Sequence, residues 1–252
     1  MRAAGPSDGA TALGECLSAA ERPANAAGRL ERSAVPRLYA IADGDMLAAG
    51  SDQTAVDRVA AAVDAMASAG ILWIQLRLKS LSDRDRLEVG EAVLRRLEGS
   101  RVSLWIDDRA DLAAVLGARG VHVGQRDLSP KSARAVVGDG TWIGLSCHDV
   151  DQVAAADSDP DVDVIAIGPV FATQSKSNPD PVVGLGGVRE ARHRTAKPLV
   201  AIGGIDAANA AAVLGAGADS AAMLGAVCRG DVAASSRALV RAAAAGFPVA
   251  AD

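Results

Sequence analysis

Residues 71–123 read ILWIQLRLKSLSDRDRLEVGEAVLRRLEGSRVSLWIDDRADLAAVLGARGVHV, and they show the repeating unit of the chain. Short apolar runs alternate there with longer segments in which apolar residues recur at helical spacing. The apolar runs are residues 71–76, 102–106 and 120–123, and the helical segments are residues 83–97 and 110–116. Strands that are apolar on both faces and are joined by helices pair in parallel and are covered on both sides. The stretch therefore predicts repeated strand–helix units.

The same pattern extends in both directions and gives eight predicted strands and eight predicted helices. The further strands are 37–42, 142–145, 164–167, 199–202 and 220–224. The further helices are 53–69, 129–137, 150–156, 188–194, 207–214 and 231–245. An open nucleotide-binding sheet would carry GxGxxG after its first strand, but residues 40–46 read AIADGDM. Eight repeats in about 210 residues predict an α/β fold of the closed (β/α)8 TIM-barrel type.

Composition limits the classes of function. The 252 residues are 50% hydrophobic and 2% aromatic, with a formal net charge of -5. We expect one catalytic domain at residues 37–252, behind an extension at residues 1–36 that is disordered or weakly helical. The acidic balance and the few aromatic residues argue against nucleic-acid binding. No apolar run of about 18 residues exists, which argues against a membrane span.

Three cysteines are spread widely along the chain, at positions 16, 147 and 228. Their odd number and wide spacing fit neither a disulfide framework nor a CxxC metal site, so we predict a reducing, cytoplasmic location. Cys147 is followed by His148. Adjacent side chains on a strand diverge, so a Cys–His pair for covalent catalysis is not favoured.

Polar side chains at the ends of the strands carry the functional information, because chemistry in such barrels sits at the carboxyl ends of the strands. Gln75, Arg77 and Lys79 alternate with leucines and therefore share one face of the second strand. That face would bring positive charge into the barrel mouth. The alternative for this segment alone is a solvated strand end.

Carboxylates follow the next two strands. Asp107 and Asp108 come directly after the third strand, and Asp127 follows the fourth. Carboxylates beside a cationic cluster suit a Mg²⁺ ion that bridges to a phosphate, since this ion takes few protein oxygens. Capping of the next helix is the alternative for each aspartate. His122 on the fourth strand is expected to be a packed barrel histidine rather than a ligand.

Anion-binding groups follow the later strands. Thr173, Ser175 and Lys176 lie beyond a Gly-Pro break, and hydroxyls with a cation suit an oxyanion. The long segment 177–187 is either a mobile lid or an idle surface loop. Glycines follow the seventh strand at position 204 and the eighth at position 225, where backbone N–H groups can approach a phosphate closely.

Several motifs occur in the order found in the thiamine-phosphate synthase family, which the chain resembles from about residue 37 to residue 229. They are QLRLK at 75–79, DDR at 107–109, HVGQRDL at 122–128, GLSCH at 144–148, GPVFATQSK at 168–176 and AIGGI at 201–205. Each motif is modest evidence by itself, and the ordered set is highly specific.

The resemblance implies a (β/α)8 transferase that joins 4-amino-2-methyl-5-hydroxymethylpyrimidine diphosphate to 4-methyl-5-(2-phosphoethyl)thiazole, or its carboxylated form. It implies Mg²⁺ as cofactor and small molecules as partners, and it is compatible with a homo-oligomer. The implied metal ligands are Asp108 and Asp127. The implied groups around the diphosphate and the pyrimidine are Arg77, Lys79, Lys176, Ser146, Gln75 and Asp107, which stands where the family usually has Asn. The implied thiazole-side groups are Thr173, Ser175, Gly204, Leu224 and Gly225.

Two other functions remain compatible with the sequence. A thiazole tautomerase of the same barrel type would use a proton-transfer residue, and His148 could serve. The many charges around the implied metal favour the synthase over this reading. A barrel that only binds thiamine precursors is the second alternative, and the extra negative charge of Asp107 keeps it open.

Overall fold

The computed structural model describes residues 30–48, 54–173 and 180–246. Its centre is a closed barrel in which each strand pairs in parallel with the next and the last pairs with the first. The strands are β1 (Leu38–Asp43), β2 (Trp73–Arg77), β3 (Ser103–Asp107), β4 (Gly120–Val123), β5 (Trp142–Cys147), β6 (Val164–Ile167), β7 (Leu199–Ile202) and β8 (Ser220–Met223). The predicted (β/α)8 barrel is confirmed.

Helices cover the outside of the barrel. In the described residues they are α1 (Gly44–Leu47), α2 (Ala55–Ser68), α3 (Asp83–Leu97), α4 (Ala110–Leu116), α5 (Pro130–Val137), α6 (Val150–Ser158), α7 (Gly184–Arg194), α8 (Ala210–Gly215), α9 (Gly225–Cys228) and α10 (Val232–Ala244). Eight of them match the predicted helices. The one-turn helices α1 and α9 were not predicted, because four residues carry no periodic signal.

Several boundaries differ from the prediction. Helix α7 begins at Gly184, inside the segment that the sequence predicts to be a loop. The sequence does not predict this start, because the first turn of α7 is rich in glycine and lacks an apolar stripe. Strand β8 ends at Met223, and Leu224 is already the N-terminal cap of α9. Position 53 of the predicted second helix lies outside the described residues, and α2 begins after Thr54, whose hydroxyl accepts a hydrogen bond from the Asp57 N–H.

Aromatic side chains line the half of the barrel interior that lies toward the amino-terminal ends of the strands. All three tryptophans of the chain and its single tyrosine lie there and are at most 4% exposed. The ring centroids of Trp73 and Trp105 are 4.9 Å apart, and those of Tyr39 and Trp73 are 5.4 Å apart. A side chain at position 120 would collide with the Trp105 ring, which explains the glycine in β4.

Residues 30–36 close the amino-terminal end of the barrel. Leu30 and Val35 are buried and pack with the interior aromatic cluster. Arg32 forms an ion pair of 2.8 Å with Asp219, which precedes β8. This part of the predicted N-terminal extension therefore contacts the barrel, and residues 1–29 lie outside the described residues.

In the described part of the chain, no helix has both the length and the apolar character that crossing a membrane requires.

Candidate active site

The polar face of β2 rises from the barrel interior to its mouth. Gln75 is 3% exposed. The side chain of Arg77 is 21% exposed, and that of Lys79, just beyond the strand, is 41% exposed. Leu76 and Leu78 point the other way and belong to the core between strands and helices. The alternation expected from the sequence is present, so the amide and both cations share the inner face.

Arg77 is held by a residue that the sequence analysis did not select. Its Nη1 donates to Asp43 Oδ2 in an ion pair, and the two residues are partners in the register of β1 and β2. Asp43 is 3% exposed, and its Oδ1 accepts from the Met46 N–H at 3.0 Å at the start of α1. The sequence signal for Asp43 is a carboxylate at a strand end followed by a glycine, which is typical of a helix cap.

Lys79 lies between the two consecutive aspartates. Its Nζ is 3.0 Å from Asp107 Oδ2 and also forms an ion pair with Asp108. Burial lowers the pKa of Lys79, but the two carboxylates outweigh this effect and raise the pKa above its usual value. The ammonium group therefore stays charged at neutral pH.

Asp108 has a backbone conformation that is uncommon for a residue with a side chain. Its φ is 61°, in the left-handed region, where aspartate and asparagine are better tolerated than most residues. The Asp108 N–H donates to the His122 carbonyl at 2.7 Å, which ties the end of β3 to β4. Such strain is typical of positions that hold a functional group.

The three carboxyl groups at the ends of β3 and β4 repel one another. Burial and then the charge of Asp108 raise the pKa of Asp107 to about 6. Partial burial and the Asp108 carboxyl, which is within hydrogen-bonding reach, raise the pKa of Asp127. The Gly124 N–H donates to Asp127 Oδ2 at 2.8 Å and opposes that rise. The cluster thus carries more negative charge than Lys79 neutralises.

This excess of negative charge fits a magnesium ion. Across the ranges that the structure describes, no three or more His, Cys, Asp or Glu side chains surround one point as a complete metal cage would require. Mg²⁺ is commonly held by one or two carboxylates, with water and substrate phosphate filling the other positions. Asp108 and Asp127 are hard oxygen donors of that kind, so the donor set fits the ion.

Ser146 on β5 is held from the neighbouring strand. His122 Nε2 is 2.9 Å from Ser146 Oγ, and the Gln125 side-chain amide donates to the Ser146 carbonyl at 2.7 Å. His122 is 8% exposed. The sequence analysis assigned Ser146 to the site but treated His122 as a packing residue, and the hydrogen bond shows that it also contacts a candidate site residue.

The opposite side of the barrel mouth is formed by the ends of β6, β7 and β8. Gly204 has a φ of 65°, and a Cβ there would lie 2.7 Å from the Ala172 carbonyl oxygen. Only glycine fits this close approach between the β6 and β7 ends. Leu224 and Gly225 begin α9 directly after β8. Thr173 ends a described range, and Ser175 and Lys176 lie outside the described residues.

The adjacent Cys147 and His148 do not form a catalytic pair. Cys147 is 1% exposed, and burial raises the pKa of its thiol to about 12. His148 Nδ1 lies 2.9 Å from the Gly168 carbonyl oxygen and 3.4 Å from Asp180 Oδ2. The burial of Cys147 and the raised pKa of its thiol exclude a thiolate nucleophile at this position.

The chain is similar to known proteins over most of the barrel. The family model described as thiamine monophosphate synthase matches residues 38–227. A thiamine-phosphate synthase from Koribacter versatilis is 46% identical over 190 residues, which is 75% of this chain and 88% of that protein. One from Methanoculleus marisnigri is 39% identical over 203 residues, which is 80% of this chain and 92% of that protein.

Among solved structures, a thiamine phosphate pyrophosphorylase from Pyrococcus furiosus matches with a TM-score of 0.72 and 26% identity. The match covers 84% of this chain and 97% of that one. Because the family model spans most of the barrel and the curated relatives are matched over nearly their whole length, the chain belongs to the thiamine monophosphate synthase family.

Proposed function

We propose that this protein is a thiamine-phosphate synthase. It joins 4-amino-2-methyl-5-hydroxymethylpyrimidine diphosphate to 4-methyl-5-(2-phosphoethyl)thiazole, or to the carboxylated thiazole, and releases diphosphate. Family membership supports the activity. The observation that carries the proposal is one cluster at the barrel mouth, in which Lys79 lies between Asp107 and Asp108, with Asp127 beside Asp108.

The reaction needs a cage for a leaving group rather than a nucleophile from the protein. Breaking the bond between the methylene carbon and the diphosphate oxygen leaves a cation that the aminopyrimidine stabilises, and the thiazole nitrogen then bonds to that carbon. Diphosphate departs with the electron pair of the broken bond. Donors aimed at such developing charge lower barriers by roughly 3 kcal/mol each in comparable sites. The buried, protonated Cys147 agrees with a path that has no covalent enzyme intermediate.

The roles of the diphosphate-side residues follow from their charge. Arg77 and Lys79 bind the diphosphate, and Lys176 joins them by the family resemblance. Asp108 and Asp127 would hold Mg²⁺, which when bound neutralises phosphate charge as the leaving group departs. Asp107 orients Lys79 through their ion pair.

The two heterocycles take different sides of the barrel mouth in this proposal. Gln75 and Ser146 contact the pyrimidine and its diphosphate, and the burial of Gln75 supports a place at the bottom of that subsite. Thr173 and Ser175 contact the thiazole. Its phosphate lies against the backbone of Gly204, Leu224 and Gly225, as the family resemblance implies. Holding both reactants in line supplies much of the rate enhancement in such couplings.

We also assign the reaction to the cytoplasm. Cys147 and Cys228 are free thiols with no disulfide partner in the described residues. Unpaired buried thiols are usual in a reducing compartment.

Incubation of the purified protein with both substrates and Mg²⁺ tests the function directly, with thiochrome fluorescence as the readout for thiamine phosphate. We expect product only when both heterocycles and Mg²⁺ are present, and no product when either heterocycle is omitted. A protein that aromatises a thiazole phosphate without coupling the rings would be a tautomerase. Binding of both compounds without any conversion would make it a binding protein, and each of these results would overturn the proposal.

A further inference from the structure

Two side chains from the end of β4 converge on one residue of β5. His122 Nε2 lies 2.9 Å from Ser146 Oγ, and the Gln125 amide nitrogen lies 2.7 Å from the Ser146 carbonyl oxygen. The hydroxyl and the backbone of the same residue are therefore both fixed. Neither His122 nor Gln125 has a part in the function proposed above.

The position of the His122 ring is itself tightly determined. Its strand partner in the β4–β5 register is Gly144, and a Cβ at that position would lie 2.3 Å from His122 Nδ1. The ring occupies the space that any side chain at position 144 would need. The His122 carbonyl accepts the Asp108 N–H at 2.7 Å, which fixes the backbone as well. His122 has little freedom to turn away from Ser146.

We propose that His122 is a positioning residue for Ser146 and holds it as a hydrogen-bond donor toward the diphosphate. In this arrangement the imidazole carries a proton on Nε2, and Nε2–H donates to Ser146 Oγ. Gln125 fixes the strand end by donating to the Ser146 carbonyl. The inference rests on the proposed function, which brings Ser146 to the pyrimidine diphosphate.

The direction of the hydrogen bond follows from the charge of the ligand. A serine hydroxyl has one proton and can donate it in one direction only. If Ser146 donated to His122, it would present only lone pairs to an anionic phosphate oxygen, which is repulsive. If His122 donates to Ser146, the serine proton is left for that oxygen, and the hydrogen bond to the charged group is strengthened. Which ring nitrogen of a buried histidine carries the proton is set by such partners.

A double-mutant cycle tests the coupling between the two residues. We expect His122→Leu to lower kcat/KM for the pyrimidine diphosphate about tenfold, the scale of one lost hydrogen bond. Ser146→Ala should lower it by at least as much, and the double variant should be no worse than Ser146→Ala alone. His122→Gln keeps an amide donor near the position of Nε2 and should recover most of the loss. KM for the thiazole phosphate should stay unchanged in all of these variants.

A nitrogen NMR measurement on the substrate-free protein tests the tautomer without relying on activity. The chain has only three histidines, so His148→Gln and His193→Gln variants assign the signals. We expect an Nε2-protonated His122 whose proton signal shifts in Ser146→Ala. If the wild type forms no thiamine phosphate, the proposed function fails, while this NMR result would still support the His122–Ser146 hydrogen bond.

Two results would overturn the inference. One is a His122 whose Nε2 carries no proton in the free protein. The other is a double variant whose loss is the product of the two single losses, with no recovery in His122→Gln. A role in packing alone would give that second result, because packing does not depend on the hydroxyl of Ser146. The melting temperature of each variant shows whether a loss of activity follows a loss of folded protein.

Discussion

Asp43 and Arg77 form an ion pair across β1 and β2, and the same Asp43 side chain caps the first turn of α1. The pair joins a buried carboxylate to a cation that is 21% exposed at the barrel mouth. One side chain thus fixes both a helix start and the cation assigned to the diphosphate. The charge of Asp43 is what holds Arg77, while its Oδ1 is what caps the helix.

Replacing Asp43 by Asn separates the two tasks, since the amide oxygen can still accept from Met46 but the charge is lost. We expect KM for the pyrimidine diphosphate to rise about tenfold and stability to fall by about 1–3 kcal/mol, because Arg77 loses its partner. Steady-state kinetics and urea unfolding measure the two effects. Asp231→Asn is the matched control, because Asp231 caps α10 in the same way. An unchanged KM in Asp43→Asn would show that Arg77 binds the diphosphate equally well without its ion pair to Asp43.

Replacing Asp108 by Asn tests its proposed role as a metal ligand without removing the left-handed backbone, which asparagine tolerates. We expect kcat/KM to fall about 100-fold or more, since the variant would lose one of the two carboxylates that would hold Mg²⁺ in the proposed function. The exposed Asp151 in α6, changed to Asn, serves as the control for loss of one surface charge. Turnover close to that of the wild type would count strongly against Asp108 as a ligand.

Asp107 makes stability depend on pH in a predictable direction. Its pKa is raised from 3.8 to about 6 in the folded protein, so its contribution to stability is complete below about pH 3.8 and is lost as the pH rises through about 6. The Asp107→Asn variant has no ionisable group at this position, so it does not lose this stability as the pH rises. In metal-free buffer we expect the variant to exceed the wild type by about 1–3 kcal/mol at pH 8, with the difference shrinking toward pH 4.

Urea unfolding between pH 4 and pH 8 measures this difference. A gap between Asp107→Asn and the wild type that does not change with pH would contradict the predicted ionisation of Asp107. Repeating the series with Mg²⁺ shows whether the ion narrows the gap, as expected if it relieves the repulsion among the carboxylates.

Gly144 tests the space occupied by His122. We expect Gly144→Ala to destabilise the protein by about 1–3 kcal/mol, because the new methyl group and the imidazole ring cannot share one position. Gly186→Ala in α7 is the control, since a Cβ there meets nothing within 4 Å and alanine favours a helix. Thermal unfolding compares the two, and equal melting temperatures would mean that the ring can move aside.

The buried thiols are expected to be inert in the folded protein. Burial raises the pKa of Cys147 to about 12 and that of Cys228 to about 11, so thiolate is scarce at neutral pH. In a Cys16→Ser variant, Ellman's reagent at pH 8 should react only after denaturation, and then with both remaining thiols. Rapid reaction of the native variant would contradict the burial of these side chains.

The fold could be predicted from the sequence because each strand is a short apolar run and most helices have a capping residue. Ser82 and Ser129, for example, accept hydrogen bonds from the first turns of α3 and α5. Such signals are local, and they survive in a single sequence. Helix α7 was predicted to begin too late because its glycine-rich first turn depends on contacts with the rest of the barrel.

The site could be predicted only in part. The shared face of Gln75, Arg77 and Lys79 follows from the alternation of strand side chains. The ion pair of Asp43 with Arg77 joins residues that are 34 positions apart. The hydrogen bond between His122 and Ser146 joins residues that are 24 positions apart. They exist because neighbouring strands are in a particular register, which the sequence of one strand does not specify. The left-handed conformation of Asp108 likewise arises from the link between β3 and β4.

All three tryptophans and the only tyrosine lie within the barrel, so the intrinsic fluorescence of the protein reports on the barrel interior. Emission excited at the red edge of indole absorption arises only from the centre of the molecule, whereas far-ultraviolet circular dichroism is dominated by the surrounding helices. Following both signals during unfolding would therefore reveal whether the outer shell loosens before water enters the middle.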